Sequence, residues 1–326
     1  NKFNEVILIG MGGSILGSRS IYSFLKEKIK KKFIFKDDFE FLKLNKKNKK
    51  NRMNLIISKS GNTLETISNA NVLINKSDKN ISITENRESY LSTLAEKLKF
   101  EVIHHNNFIG GRYSVLSEVG MLPAQLMGLN VNKFRRFNSL IKNKKFVNSL
   151  IQNVSNTLYL IKRKKYNSII LNYDENSSDI FYWYQQLIAE SLGKKSKGIL
   201  PIISNMPKDN HSLMQLYLDG PKNNFFTFFN TSESKSNKLN TRELIKSHHY
   251  LKNKNLCEIV QSQKIATEKV FNEKKIPFRS FQILKRSEDT LGELFSFFIL
   301  ETILISKSLN LDPYNQPAVE LIKTET

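Results

Sequence analysis

The chain alternates short, almost wholly apolar runs with longer stretches in which apolar residues recur at helical spacing. The run "EVILIG" (Glu5–Gly10) is β-rich and ends in glycines, and a helical pattern follows from about Ser14 to Lys26. Either "FEFL" (39–42) or "MNLIIS" (Met53–Ser58) supplies the next strands, and a helix is expected from about Thr63 to Ile74. "ISITEN" and "FEVIHH" read as two further strands, with helical pattern again from Val115 to Leu129. After "KNKKFVNSL" the alternation restarts. "NSIILNY", "GILPIIS", "NNFFTFFN" and "FRSFQIL" read as strands, "SDIFYWYQQLIAESLG" and "HSLMQLYLDG" as helices, and a long helix is expected from Glu288 to Ser308. Strands that are apolar on both faces and separated by helices predict parallel sheets covered on both sides, an α/β fold. Two domains of similar architecture are expected, 1–145 and 146–310, with a short C-terminal segment over 311–326; no internal repeat links them.

Composition narrows the classes. With 40% hydrophobic and 25% charged residues in 326, the chain has ordinary globular values. The greasiest segment, "LFSFFILETILI", is short for a membrane span and carries Glu301. The single cysteine, Cys257, excludes an intramolecular disulfide framework and suits a reducing, cytoplasmic setting. The sequence opens without Met or a signal-peptide pattern and runs at once into a strand, so it reads as starting inside a longer chain. The net charge of +21 invites a nucleic-acid reading. The basic residues, however, fall in surface-like tracts such as "KEKIKKKF" and "KLNKKNKKNR", without interleaved aromatics. No nucleic-acid or membrane partner is expected, and the charge favours anionic small molecules. No His/Cys cluster, H-x-x-x-H or C-x-x-C spacing is present, so neither metal nor cofactor is expected.

Two loops follow strands where a parallel sheet binds its ligands. "GMGGSILG" fails the dinucleotide fingerprint at Ile15 and the Walker A pattern at Ser18-Arg19. What is left is a turn presenting backbone N–H groups and the Ser14 hydroxyl at a helix start, an anion site. "SKSGNTLET" offers Ser58, Ser60 and Thr63 around Gly61, with Asn62 and Glu65 spaced as a capping box. Three hydroxyls and a helix N-terminus would cradle a phosphate monoester, although the same residues also serve simply to cap a helix.

These motifs resemble those of the phosphoglucose isomerase family and its sugar isomerase (SIS) domains. "SKSGNTLET" resembles the SIS signature and "IGMGGSILG" the family's first phosphate loop. "GGRYSVLSEVGMLPA" is similar to its arginine motif, "QQLIAESLGK" to the catalytic glutamate segment and "KDNHSLMQLYLDGP" to the histidine motif. "NQPAVELIK" is similar to the C-terminal signature. The resemblance implies two three-layer αβα SIS domains and interconversion of glucose 6-phosphate and fructose 6-phosphate through a cis-enediol(ate), as in glycolysis and gluconeogenesis. It implies that Gly13, Ser14, Ser58, Lys59 (through its backbone N–H), Ser60 and Thr63 hold the phosphate. Gly111 and Arg112 would lie beside C1–C2, Glu190 would be the base, His211 and Lys323 would open the ring, and Gln316 would contact substrate. It also implies a homodimer, with His211 supplied across the interface. Ser60 replaces the more usual threonine, and "SGN" is similar to the bifunctional phosphoglucose/phosphomannose branch. A SIS sensor without catalysis is the other reading, disfavoured by Glu190, His211 and Lys323 together.

The chemistry needs these residue types. Moving a proton between adjacent carbons takes a desolvated carboxylate, and Glu190 lies in the apolar helix "FYWYQQLIAESL". An enediolate is stabilised by a fixed guanidinium, and Arg112 follows two glycines. Ring opening takes an acid and base near neutrality, and a histidine's ordinary pKa is roughly 6.5. The paired histidines His104–His105 and His248–His249 look incidental.

Overall fold

A computed structural model describes residues 3–40, 52–232, 236–240, 242, 244–319 and 321. The first half follows the expected alternation: β1 (Glu5–Gly10), α1 (Leu16–Phe24), β2 (Lys32–Lys36), β3 (Arg52–Ile57), α2 (Leu64–Leu73), β4 (Lys79–Glu85), α3 (Tyr90–Leu98) and β5 (Glu101–His105). After a 3₁₀ segment (Gly111–Leu116) come α4 (Glu118–Leu126), two single turns, α5 (Val131–Phe134) and α6 (Phe137–Leu140), and α7 (Lys144–Lys162). The second half runs β6 (Asn167–Asn172), α8 (Ser178–Leu192), β7 (Leu200–Asn205), α9 (Met214–Asp219), β8 (Asn224–Thr231), α10 (Leu256–Glu273), β9 (Phe278–Ile283) and α11 (Glu288–Ser308).

Among the described residues every pairing between the named strands is parallel. One sheet has the order β2-β1-β3-β4-β5 and the other β7-β6-β8-β9. The central strands β1, β3 and β6 are buried almost throughout, as strands covered by helices on both faces must be. In each sheet the chain leaves its first strand to one side and then crosses to the other, so β1/β3 and β6/β8 flank the reversal where such sheets bind ligands.

The two halves share one apolar core. Ile21, Val115 and Leu55 from the first pack in the same cluster as Phe181, Trp183, Phe229 and Phe295 from the second. The inward face of α8 dominates it: Phe181, Trp183, Tyr184, Leu187 and Ile188 are all buried, each stabilising by about 1.5–3 kcal/mol relative to exposure. Tyr184 also ties α8 to β9 and α11, accepting from Arg279 Nη2 at 3.1 Å and donating to Glu301 Oε2 at 3.2 Å.

Two readings change and one falls partly outside the described residues. The basic tract around residues 25–36 is not all surface: it holds β2, with Phe33 buried and both Phe33 and Phe35 packed on Tyr22. Of "FEFL", Phe41 and Leu42 lie outside the described residues. Asn62 does not cap α2, which starts after Thr63, itself without a side-chain cap bond. Asn62 Oδ1 instead accepts from the Tyr90 N–H at 2.9 Å, fixing the start of α3.

Candidate active site

The loop after β1 turns through Met11 into the single 3₁₀ turn Gly12–Ser14, beside the loop after β3, because Gly10 and Ile57 are register partners. In the second loop Gly61 has φ +68°, a conformation that suits glycine and lets the chain double back. The Ser58 and Thr63 hydroxyls face each other at 3.0 Å, and Ser58 Oγ also accepts from the Gly61 N–H at 3.1 Å. Ser60 turns aside, accepting from the Asn62 N–H at 3.2 Å. The Lys59 ammonium points away from these hydroxyls, donating to the Asn107 carbonyl at 2.9 Å and lying 3.3 Å from Glu85.

The arginine loop presses directly on the first of these loops. A Cβ built on Gly13 would lie 2.2 Å from the Gly111 carbonyl carbon and 2.6 Å from the Arg112 nitrogen, so only glycine fits. Gly13→Ala is therefore expected to cost about 1–3 kcal/mol of stability by overpacking. It should also lower kcat/KM about a hundredfold by displacing Arg112. A thermal melt and a rate measurement check both, and a fully active Gly13→Ala chain would mean that this close approach does not position the guanidinium.

Arg112 is buried, and its five N–H donors meet five acceptors. Nε donates to Ser191 Oγ at 2.9 Å, and Nη2 to the carbonyls of Pro313 at 2.5 Å and Asn315 at 3.0 Å. Nη1 donates to Glu190 Oε2 at 3.0 Å and Gln316 Oε1 at 2.7 Å. Trp183 Nε1 donates to the Arg112 carbonyl at 3.2 Å, so α8 holds the residue by backbone and side chain alike. Tyr113 reaches Ser191 Oγ at 2.8 Å and the Pro313 carbonyl at 3.1 Å, and burial pushes its phenol pKa up.

Glu190 is not surrounded by the apolar residues of its helix. Those face the core, and its side chain stays 27% exposed on the other face. Its carboxylate is instead held at both oxygens, by Arg112 on Oε2 and by Gln186 Nε2 on Oε1 at 2.9 Å. Gln186 stands one helical turn earlier and lies against Gly12, where an added Cβ would come within 2.9 Å of its Nε2. The glutamate therefore reaches the first loop through Gln186 and through Arg112. Glu190 and Ala189 line two adjoining clefts. One of about 560 Å³ is shared with Lys194, Lys195 and the segment from Leu311 to Val319; the other, of about 430 Å³, is shared with Leu16, Arg19, Tyr182 and Gln186. Desolvation and the nearby Arg112 charge hold the Lys194 ammonium below its ordinary pKa.

The structure thus brings Gly13, Gly111, Arg112, Glu190 and Gln316 together, with Ser58 and Thr63 one strand away. His211 is not bonded into this group. It follows the single turn Lys208–Asn210 beyond β7, is exposed, and makes no hydrogen bond to Arg112 or Glu190 among the described residues. Lys323 lies outside the described residues. Sequence reading passes over Gln186, Ser191 and Tyr113. Only Gln186 leaves a signal, its four-residue spacing from Glu190 on one helix face. His105, read as incidental, is buried, with both ring nitrogens engaged. Among the described residues no group of three or more His, Cys, Asp or Glu side chains could hold a metal, and no helix is long and apolar enough to cross a membrane.

Comparison with known proteins gives a consistent result. A family model described as phosphoglucose isomerase matches residues 1–325. A Methanocaldococcus jannaschii glucose-6-phosphate isomerase is 32% identical over 98% of this chain and 82% of its own length. Among solved structures, a hypothetical protein from Thermus thermophilus superposes with a TM-score of 0.87 at 23% identity, covering 99% of this chain and 82% of that one. A Chlamydia trachomatis glucose-6-phosphate isomerase superposes with a TM-score of 0.77 at 17% identity, covering 99% and 69%. At those identities the superpositions speak for the fold alone.

Proposed function

Since this chain belongs to the phosphoglucose isomerase family, we propose that it interconverts glucose 6-phosphate and fructose 6-phosphate, with Glu190 moving the proton between C2 and C1. The observation that carries this reading is the contact chain Gly13–Gly111–Arg112–Glu190. It sets a carboxylate and a guanidinium 3.0 Å apart beside the loops at the sheet reversal. In the forward direction Glu190 removes the C2 proton and the freed pair forms the C1–C2 double bond as the C1 carbonyl π pair moves to O1, giving a cis-enediolate. The O2 proton then passes to O1, and as C2=O forms the C1–C2 pair takes the proton back from the same carboxyl at C1.

The arginine divides its work by edge. Its Nε and Nη2 donors go to Ser191 and to backbone carbonyls, which fix its plane. Nη1 faces only side chains, Glu190 and Gln316, so a substrate oxygen taking the place of Gln316 meets a fixed cation where enediolate charge develops. Ser14, Ser58, Ser60, Thr63 and the Lys59 backbone would hold the phosphate. Lys59 is suited to a backbone role because its ammonium is engaged elsewhere. In this reading residues 1–145 and 146–310 are two domains, and 311–326 bring Gln316 and Lys323 to the substrate. An exposed His211 without a bond to Glu190 fits a residue that serves the site of a second copy in a homodimer.

The test is conversion of glucose, mannose and fructose 6-phosphates measured side by side. Conversion between the glucose and fructose esters is expected, and its absence would overturn the reading. Conversion of the mannose ester at a similar rate would favour a bifunctional enzyme. A fully active monomer in sedimentation would remove the second-copy role of His211.

A further inference from the structure

We propose that His105 is a positioning residue for the arginine loop, its imidazole stapling together the two ends of the segment that carries Gly111 and Arg112. The inference rests on the isomerase reading above and goes beyond it in assigning a role to a residue outside the reacting groups.

His105 is the last residue of β5 and only 3% of it is exposed. Its Nε2 lies 3.0 Å from the Ile109 carbonyl, immediately before Gly110, and its Nδ1 bonds Glu118 Oε1, in the first residue of α4. A carbonyl only accepts, so Nε2 carries a hydrogen toward Ile109, and a further hydrogen lies between Nδ1 and the carboxylate. One ring therefore grips the chain on both sides of residues 110–117.

The grip answers a mechanical need. Gly110 and Gly111 have no side chains with which to hold the loop's course, yet Gly111 must lie flush against Gly13. Upstream, the turn Asn106–Ile109 closes on itself through the Ile109 N–H and Asn106 carbonyl at 3.1 Å, and Lys59 holds Asn107 from the loop after β3. Its tip, Phe108, projects into solvent, 96% exposed. Downstream, Ser117 caps α4 by accepting from the Val119 N–H. His105 joins these two anchored ends. Burial raises the Glu118 carboxyl pKa, but the bond to His105, the His105 charge and hydrogen bonds from the Glu118 and Asn106 backbone together hold that carboxyl below its ordinary range.

A buried histidine pair that merely stabilises the fold would look similar, so the test separates the two roles. His105→Leu removes both bonds. His105→Gln can still donate from the place of Nε2 to Ile109, whereas His105→Asn reaches only the place of Nδ1. For fructose 6-phosphate, His105→Leu and His105→Asn are expected to lower kcat about tenfold with KM changed less than about twofold, and His105→Gln to recover most of the loss. In parallel, amide hydrogen exchange across residues 110–117 should quicken in the Leu and Asn variants and return toward the parent rate in Gln. A kcat that follows melting temperature across the three variants, or equal behaviour of Gln and Leu, would overturn the proposal. A parent chain with no isomerase activity would instead remove the function assigned above, and the exchange rates would still decide the role of His105.

Discussion

Glu190→Gln is expected to bind fructose 6-phosphate about as tightly as the parent chain while turning it over roughly a hundred to ten thousand times more slowly, the range a general acid–base group contributes. The amide keeps the shape of the carboxylate, can still accept from Arg112 Nη1, and can donate to Gln186 Oε1 once that side-chain amide turns over, so the architecture described around it survives. What it loses is the ability to take a proton from carbon. Coupled-assay rates and calorimetric binding of a sugar phosphate together check the split. A kcat within a few-fold of the parent would place the base elsewhere. A collapse in binding with unchanged kcat would make Glu190 a ligand-holding residue instead.

Arg112→Lys is expected to lower kcat about a hundredfold or more, by analogy with removal of an oxyanion donor, and to lower the melting temperature as well. The substitution keeps the charge and loses the fork. A lysine ammonium has three donors where the guanidinium places five, so at least two of its acceptors lose their partner. Leaving buried acceptors unpaired costs on the order of 1–3 kcal/mol each. Loss of stability with normal turnover would reduce Arg112 to a strut between α8 and the C-terminal segment. Loss of turnover with normal stability would show that the carbonyls find other partners.

How far the sequence revealed this molecule varied with the kind of signal. The β1, β3 and β6 runs are legible because strands buried on both faces must be apolar throughout. The 288–308 helix is legible to its ends because Ser287 supplies a capping hydroxyl, accepting from the Thr290 N–H at 3.2 Å. β2 escaped because lysines at its two ends sit in a basic tract. α7 escaped because Phe146, Leu150, Val154 and Thr157 form one narrow buried stripe on a helix otherwise rich in Lys and Asn. The phosphate loops and the arginine and glutamate motifs stand out by residue type. The pairing of Arg112 with its acceptors does not, because they lie 78 to 204 residues further along and two of the five are backbone oxygens. His105 was hidden for a related reason. Its importance comes from what folds over it, and an HH pair in sequence carries no mark of that.

The guanidinium's last acceptors, the Pro313 and Asn315 carbonyls and the Gln316 side chain, have a bearing on how the molecule comes into being. At roughly 5–20 residues per second, a ribosome delivers them on the order of ten to forty seconds after Arg112 itself. Until then both sheets can form, but of its five acceptors the guanidinium has only Ser191 and Glu190. A polypeptide cut short before residue 313 would carry both sheets and an Arg112 lacking three of its five acceptors, which arrive together within residues 313–316.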